Sequence, residues 1–161
     1  VKFGYGVYVT SRYSSAAHYS GANPYATEHF VYTVEIPEKT ETNCIAFKEP
    51  VHPAIAAAAQ EKLGETVPEK VLLDAGKEFR KFLAMKLTGE KKVTLEGERA
   101  AASFLLSIGV ELIECPYNWK TPASGTNRAV VEDSNLRILK VDSIRLDDKK
   151  KLIEESVTPV R

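Results

Sequence analysis

The residues with the clearest capacity for chemistry crowd one end of the chain. The segment FGYGVYVTSRYSSAAHYS, residues 3–20, holds Gly4, Gly6, Tyr8, Tyr13 and Tyr19. Tyrosine faces take up a flat ring by stacking, or a cation through the ring quadrupole, each contact contributing about 0.5–2 kcal/mol. Glycine beside a stacking residue lets ligand and backbone approach closely. A core strand has no need of two glycines, so the pattern points to a flat aromatic ligand. Other chemistries find less support. His18, His29 and His52 form no HxH or HxxxH pair, and Cys44 and Cys115 lie far apart in no ligand-like spacing, so no metal site is expected. The two cysteines read as buried free thiols of a reducing compartment. GYGVYV lacks the third glycine of a dinucleotide fingerprint and opens no helix.

These residues need elements to hold them. Phe3–Thr10 alternates like a strand, and Ser14 is placed to cap a short helix over Ser15–Ser20. SGANPYATE is loop by composition, HFVYTVEIP is the clearest strand, and CIAF is a short extended piece. Three helices follow. PAIAAAAQEKLG has Pro53 in its first turn and Gly64 after its end. DAGKEFRKFLAMKLTG sets Phe79, Phe82, Leu83 and Leu87 on one face. EGERAAASFLLSIG closes at Gly109. VELIE, TNRAVVED and LRILKVDSIRL return to strand, the last two joined by a turn at Asp133, Ser134 and Asn135. DDKKKLIEES reads as a polar tail helix. The order predicts an α+β domain over residues 1–146 with a largely antiparallel sheet, and a C-terminal polar helix or tail over 147–161.

Bulk properties narrow the partners. The 161 residues suit one domain, and the 43% apolar and 27% charged content is ordinary for a globular one. Twenty-two Lys and Arg balance twenty-two Asp and Glu, so no global charge steers the chain to nucleic acid or to an anionic membrane. No apolar run approaches the roughly 20 residues of a spanning helix.

Taken in order, the motifs resemble the ADP-ribosyltransferase superfamily, in the branch with a His-Tyr-Glu pattern that includes the poly(ADP-ribose) polymerases and diphtheria toxin. Gly6-Val7-Tyr8 leads through a small-residue helix to Tyr19, as that branch's NAD-binding segment does. The closer resemblance is to the ADP-ribosyltransferase domains of phage and mobile-element polyvalent proteins. FGYGVYVT, FVYTVEIP, CIAFKEPV, SIGVELIECPY and TNRAVVEDSNLRIL follow their motif order over about residues 3–140. The resemblance implies an ADP-ribosyltransferase-like fold of split, largely antiparallel sheets with helices inserted between early and late strands. It implies transfer of ADP-ribose from NAD to an unidentified protein acceptor, with release of nicotinamide, no metal, and a bacterial or phage-delivered cytoplasmic setting. Tyr8 and Tyr19 would stack on the nicotinamide, Gly6 would give backbone access, and Asn127 would orient the ribose. Asn127 and Tyr8 would thus carry the catalytic roles.

Three departures bear on that reading. The family's His lies on a strand before G-x-Y, and only Val1 and Lys2 precede Phe3, so that strand is expected upstream in a longer natural chain, or the site lacks its ribose and amide anchor. The family's Glu falls at Asn127, which can hydrogen-bond a ribose hydroxyl but brings no negative charge to an oxocarbenium-like centre. Losing such a group costs about 10²–10³ in rate. Glu132 lies five residues on, about 16 Å along a strand, and faces the other way. The serine that holds the nicotinamide amide in polymerase-like relatives falls at Ala16, with Ser14 or Ser15 as substitutes. The phosphates would fall to Arg12, to Arg128 or to a residue outside this chain. The alternative is a catalytically silent module on the same fold that holds NAD, an ADP-ribose-like ligand or a protein.

Overall fold

A computed structural model describes residues 4–116 and 126–161; Phe3, the expected start of the first strand, and Tyr117 of the SIGVELIECPY motif lie outside the described residues. In chain order the elements are β1 (Val7–Thr10), α1 (Tyr13–Ser20), β2 (His29–Glu35), β3 (Cys44–Ala46), α2 (Pro53–Leu63), α3 (Glu69–Leu73), α4 (Gly76–Thr88), α5 (Leu95–Ser107), β4 (Leu112–Pro116), β5 (Thr126–Val130), β6 (Arg137–Ile144) and β7 (Thr158–Pro159). The strands form two sheets. The first runs β1-β5-β4-β3 and the second β2-β6-β7. Only the β3–β4 pair is parallel; the other described pairs are antiparallel. The α+β class and the antiparallel bias read from the sequence are both present.

Local chemistry explains most boundaries. The ring nitrogen Nδ1 of His52 accepts from the Ala54 N–H at 3.1 Å, and Pro53 follows in the first turn of α2. Gly64 closes α2 in the left-handed region at φ 71°. The Thr94 hydroxyl accepts from the Gly97 N–H at 3.0 Å and starts α5. Helix α1 begins earlier than expected. Ala16 N–H donates to Arg12 O at 3.2 Å, which makes Arg12 the N-cap and puts Ser14 inside the first turn.

Two layers of core result. Ile45 of β3 packs with Phe79, Leu83, Leu105 and Val110 in a large buried cluster shared by α2, α4 and α5. Alternation along the first sheet then divides its faces. Ile113 and Ala129 turn toward Ala102 of α5, while Leu112, Val130 and Cys44 turn toward Ile36 and Leu136 at the edge of the second sheet. A smaller cluster of Ala17, Val31 and Ile144 seats α1 on the second sheet.

The C-terminal segment does not form the expected α-helix. The Asp147 carboxylate accepts from the N–H groups of Lys149 and Lys151 at 2.8 and 2.9 Å, Lys150 sits at φ 62°, and Leu146 pairs with Leu152 in an antiparallel bridge. A single 3₁₀ turn over Glu154–Ser156 leads into β7. The lysine run offers no apolar stripe to bury, whereas Leu146, Leu152 and Val157 pack onto the α1 cluster. Hairpin closure satisfies both groups of residues and a helix would satisfy only one.

Helices α4 and α5 meet at a point with no room for a side chain. A methyl group at Gly97 would lie 2.7 Å from Ala84 O. Gly97→Ala should gain about 1 kcal/mol in helix propensity and lose more through overpacking, for a net destabilisation of about 1–2 kcal/mol. Urea denaturation checks the sign: a stabilised variant would mean that the two helices separate freely.

Candidate functional site

An open cleft of about 1250 Å³ lies among β1, β5, α1 and the β2–β6 face of the second sheet. Its walls are rich in aromatic rings: Tyr8, Tyr13, Tyr19, Phe30 and Tyr32. Arg12, Arg128 and Asn127 also line it, and no Asp or Glu does among the described residues. The volume exceeds the roughly 300–1,000 Å³ of ordinary small-molecule pockets, which suits a dinucleotide-sized ligand.

The residues singled out in the sequence arrive here by different routes. Tyr8 pairs with Ala129, and Thr10 with Asn127, across the β1–β5 ladder. Tyr8 and Asn127 are therefore diagonal neighbours on one face of the sheet, at a spacing of about 7–8 Å. Ala129 shares that face and packs toward α5, whereas Val9 and Arg128 take the opposite face, toward the second sheet. The Tyr8 hydroxyl donates to Gly4 O at 2.6 Å, which fixes the ring while leaving it about half exposed. Tyr19, at the last turn of α1, is 58% exposed and meets the His18 ring edge-on. Tyr8, Tyr19 and Asn127 all border the cleft, Tyr19 from α1 and the other two from the β1–β5 edge, where their side chains leave the sheet on its α5 face.

Gly6 and Ser14 have other positions. A methyl group at Gly6 would stand 2.6 Å from Val130 O, so the glycine serves the close approach of β1 to β5 rather than an opening to a ligand. Gly4 has another cause, a φ of 111° that side chains rarely adopt, with Arg80 and Ile113 packed against it. Ser14 is exposed and lies outside the cleft lining; Ser15 is buried, and Ser20 is the α1 serine on the wall. Glu132 lines a separate pocket of about 340 Å³ with Tyr5, Arg99 and Ser103, and accepts from the Ser134 N–H. It lies beyond the end of β5, on the side of α5, so the strand alternation does not reach it, and it is outside the cleft lining.

Phe30 and Tyr32 were absent from the sequence-based site. The alternation of HFVYTVEIP carries their signal: Val31 is buried under α1, so its two neighbours must face the other way.

Two polar clusters border the cleft. In the first, fully buried Asp142 accepts from the Tyr13 hydroxyl at 3.0 Å and from Lys140 Nζ at 3.5 Å. Burial, then the hydrogen bond and charge of Asp142, push the Tyr13 phenol from 10.0 up to about 12. In the second, Glu114 accepts from Lys39 at 2.9 Å and from Arg128 Nε at 2.7 Å. Desolvation raises the Glu114 carboxyl, but the hydrogen bonds and charges of Lys39 and Arg128 outweigh it and hold the group below its ordinary value. The buried free thiol of Cys44 beside this cluster is pushed up to about 11, chiefly by desolvation, which leaves it unreactive. No group of three or more His, Cys, Asp or Glu is placed to hold a metal among the described residues, and no helix among them is long and apolar enough to cross a membrane.

No protein-family model, curated protein or solved structure matches the chain.

The Tyr13–Asp142 bond gives a pH signature. The folded phenol titrates above its unfolded value, so its contribution is complete below about pH 10 and is lost as pH rises toward 12. Tyr13→Phe should be less stable than wild type at pH 8 by about 1–3 kcal/mol, because a buried carboxylate loses a donor. The gap should close between pH 10 and 12. Thermal unfolding of both proteins across this range checks it; a constant gap would show that the hydroxyl contributes nothing to the alkaline limb.

Proposed function

We propose that the chain is an NAD-dependent ADP-ribosyltransferase that binds NAD in this cleft and passes ADP-ribose to a protein acceptor. The observation that carries the reading is that Tyr8 and Tyr19, from the start of the chain, and Asn127, from β5, border a single cleft. Two further features support it. The aromatic walls suit the flat cationic nicotinamide ring. Arg12 and Arg128, the latter beside a Glu114 carboxylate that it shares with Lys39, suit a diphosphate. On this reading the two sheets and the helices between them form an ADP-ribosyltransferase-like fold.

In the reaction the bond between ribose C1 and the nicotinamide nitrogen breaks. Its electron pair leaves with nicotinamide, which departs neutral. A nucleophile of the acceptor bonds to C1 and gives up its proton. Tyr19 holds the departing ring, Tyr8 flanks it, and Asn127 orients the ribose by hydrogen bonding. No negative charge faces the oxocarbenium-like centre from the described residues, so turnover is expected to be slow. That same absence favours a second reading, a module that holds NAD without turnover.

Equilibrium binding of NAD and chromatographic measurement of free nicotinamide separate the two. Tyr19→Ala should weaken NAD binding about 3- to 30-fold. Asn127→Glu should raise nicotinamide release about 10²- to 10³-fold with little change in binding. Binding without release in both wild type and Asn127→Glu would leave the silent module. No NAD binding by the wild type would overturn both readings.

A further inference from the structure

Arg128 is held in a way that prepares it for an anion. Its Nε donates to Glu114 Oε2 at 2.7 Å, and Glu114 Oε1 is taken by Lys39 at 2.9 Å. Arg128, Glu114 and Val9 lie in one row across β5, β4 and β1, on the face turned toward the second sheet. Both oxygens of Glu114 are therefore engaged, and one carboxylate stands against two cations. Among the described residues nothing accepts from the two terminal nitrogens of Arg128, Nη1 and Nη2. Arg128 lines the cleft with 28% of its side chain exposed, so this terminal edge is presented rather than buried. A guanidinium clamped at Nε keeps its planar fork in a fixed orientation, and the Nη edge matches two oxygens of one phosphate.

We propose that Arg128 is the phosphate-recognising residue of the cleft, and that Glu114, braced by Lys39, is its positioning residue. The inference deepens the NAD reading and rests on it: it commits to the diphosphate as the group through which the nucleotide is recognised. Arg12, at the start of α1 on the same wall, is too exposed and too loosely held to fill this role alone.

The test uses calorimetric titration with ADP, with adenosine as the phosphate-free control and NAD in parallel. Wild type should bind ADP well and adenosine poorly. Arg128→Ala should weaken ADP binding about 10- to 100-fold and leave adenosine unchanged. Arg128→Lys, which keeps the charge but not the fork, should recover only part of the loss. Glu114→Gln leaves one neutral acceptor for both Arg128 and Lys39, which loosens the clamp on the guanidinium, and should cost about 3- to 10-fold for ADP. In the Arg128→Ala background the same change should cost nothing, which a general structural role would not produce. Thermal melts identify any variant that fails to fold, and Arg128→Lys then carries the comparison. Equal ADP affinity in wild type and Arg128→Ala, or an equal loss for adenosine, would overturn the proposal. ADP binding that depends on Arg128 without NAD binding would keep the proposal and remove the NAD reading. NAD binding indifferent to Arg128 would do the reverse, and a wild type that binds neither would remove both.

Discussion

Strand β5 runs between β1 and β4, and successive side chains on it meet two different surroundings. Asn127 and Ala129 project to the side of α5, where Ala102 and Ile113 close the core; Arg128 and Val130 project toward the second sheet. A strand turns its side chains over at every step, so no residue can serve both. The strict alternation decides what β5 gives to the cleft. It also ties the site to the core, since a slip of one residue would exchange Ala129 for the arginine beneath α5, where a charge would lie unpaired. Packing of the small Ala129 against the helix thus holds Arg128 on the open side.

The polar groups near the cleft work at different depths. Asp142 is fully buried and is tied to Tyr13, so it joins the start of α1 to the middle of β6. Its net contribution is modest, because desolvation offsets most of the attraction, but loss of one partner would leave a buried charge exposed to little else than Lys140. Glu114 is only partly buried and serves two cations, which keeps it ionised and the cluster positive. One cluster fastens the wall of the cleft and the other gives it a sign.

Legibility in the sequence followed the range of the forces involved. Helix α2 was readable to the residue at both ends because Pro53 and Gly64 act within a single turn. The strand HFVYTVEIP and the closing Gly109 were equally local. Errors arose where a distant contact decided the matter. Gly6 reads as an opening for a ligand until the carbonyl of Val130 is found against it. DDKKKLIEES has the composition of a solvated helix, and only the cluster around Ala17 and Ile144 draws Leu146 and Leu152 into a bridge instead. Alternation was applied to Glu132 although β5 ends at Val130, and it could not tell which face of β5 meets the second sheet. Phe30 and Tyr32 needed the same knowledge.

The two sheets rest on unequal foundations. Among the described residues, the helical side of the first is secured by thirteen buried apolar residues, whereas α1 and the second sheet are joined by three, Ala17, Val31 and Ile144, with half-buried neighbours around them. No ladder bond among the described residues links one sheet to the other. Opening of the β2-β6-β7 layer therefore costs less free energy than global unfolding, and the amides of β6 should exchange with solvent through that lesser event. The cleft sits on this seam. A ligand touching both of its walls would act as a cross-link, and its binding energy would appear as slowed amide exchange in the weaker layer.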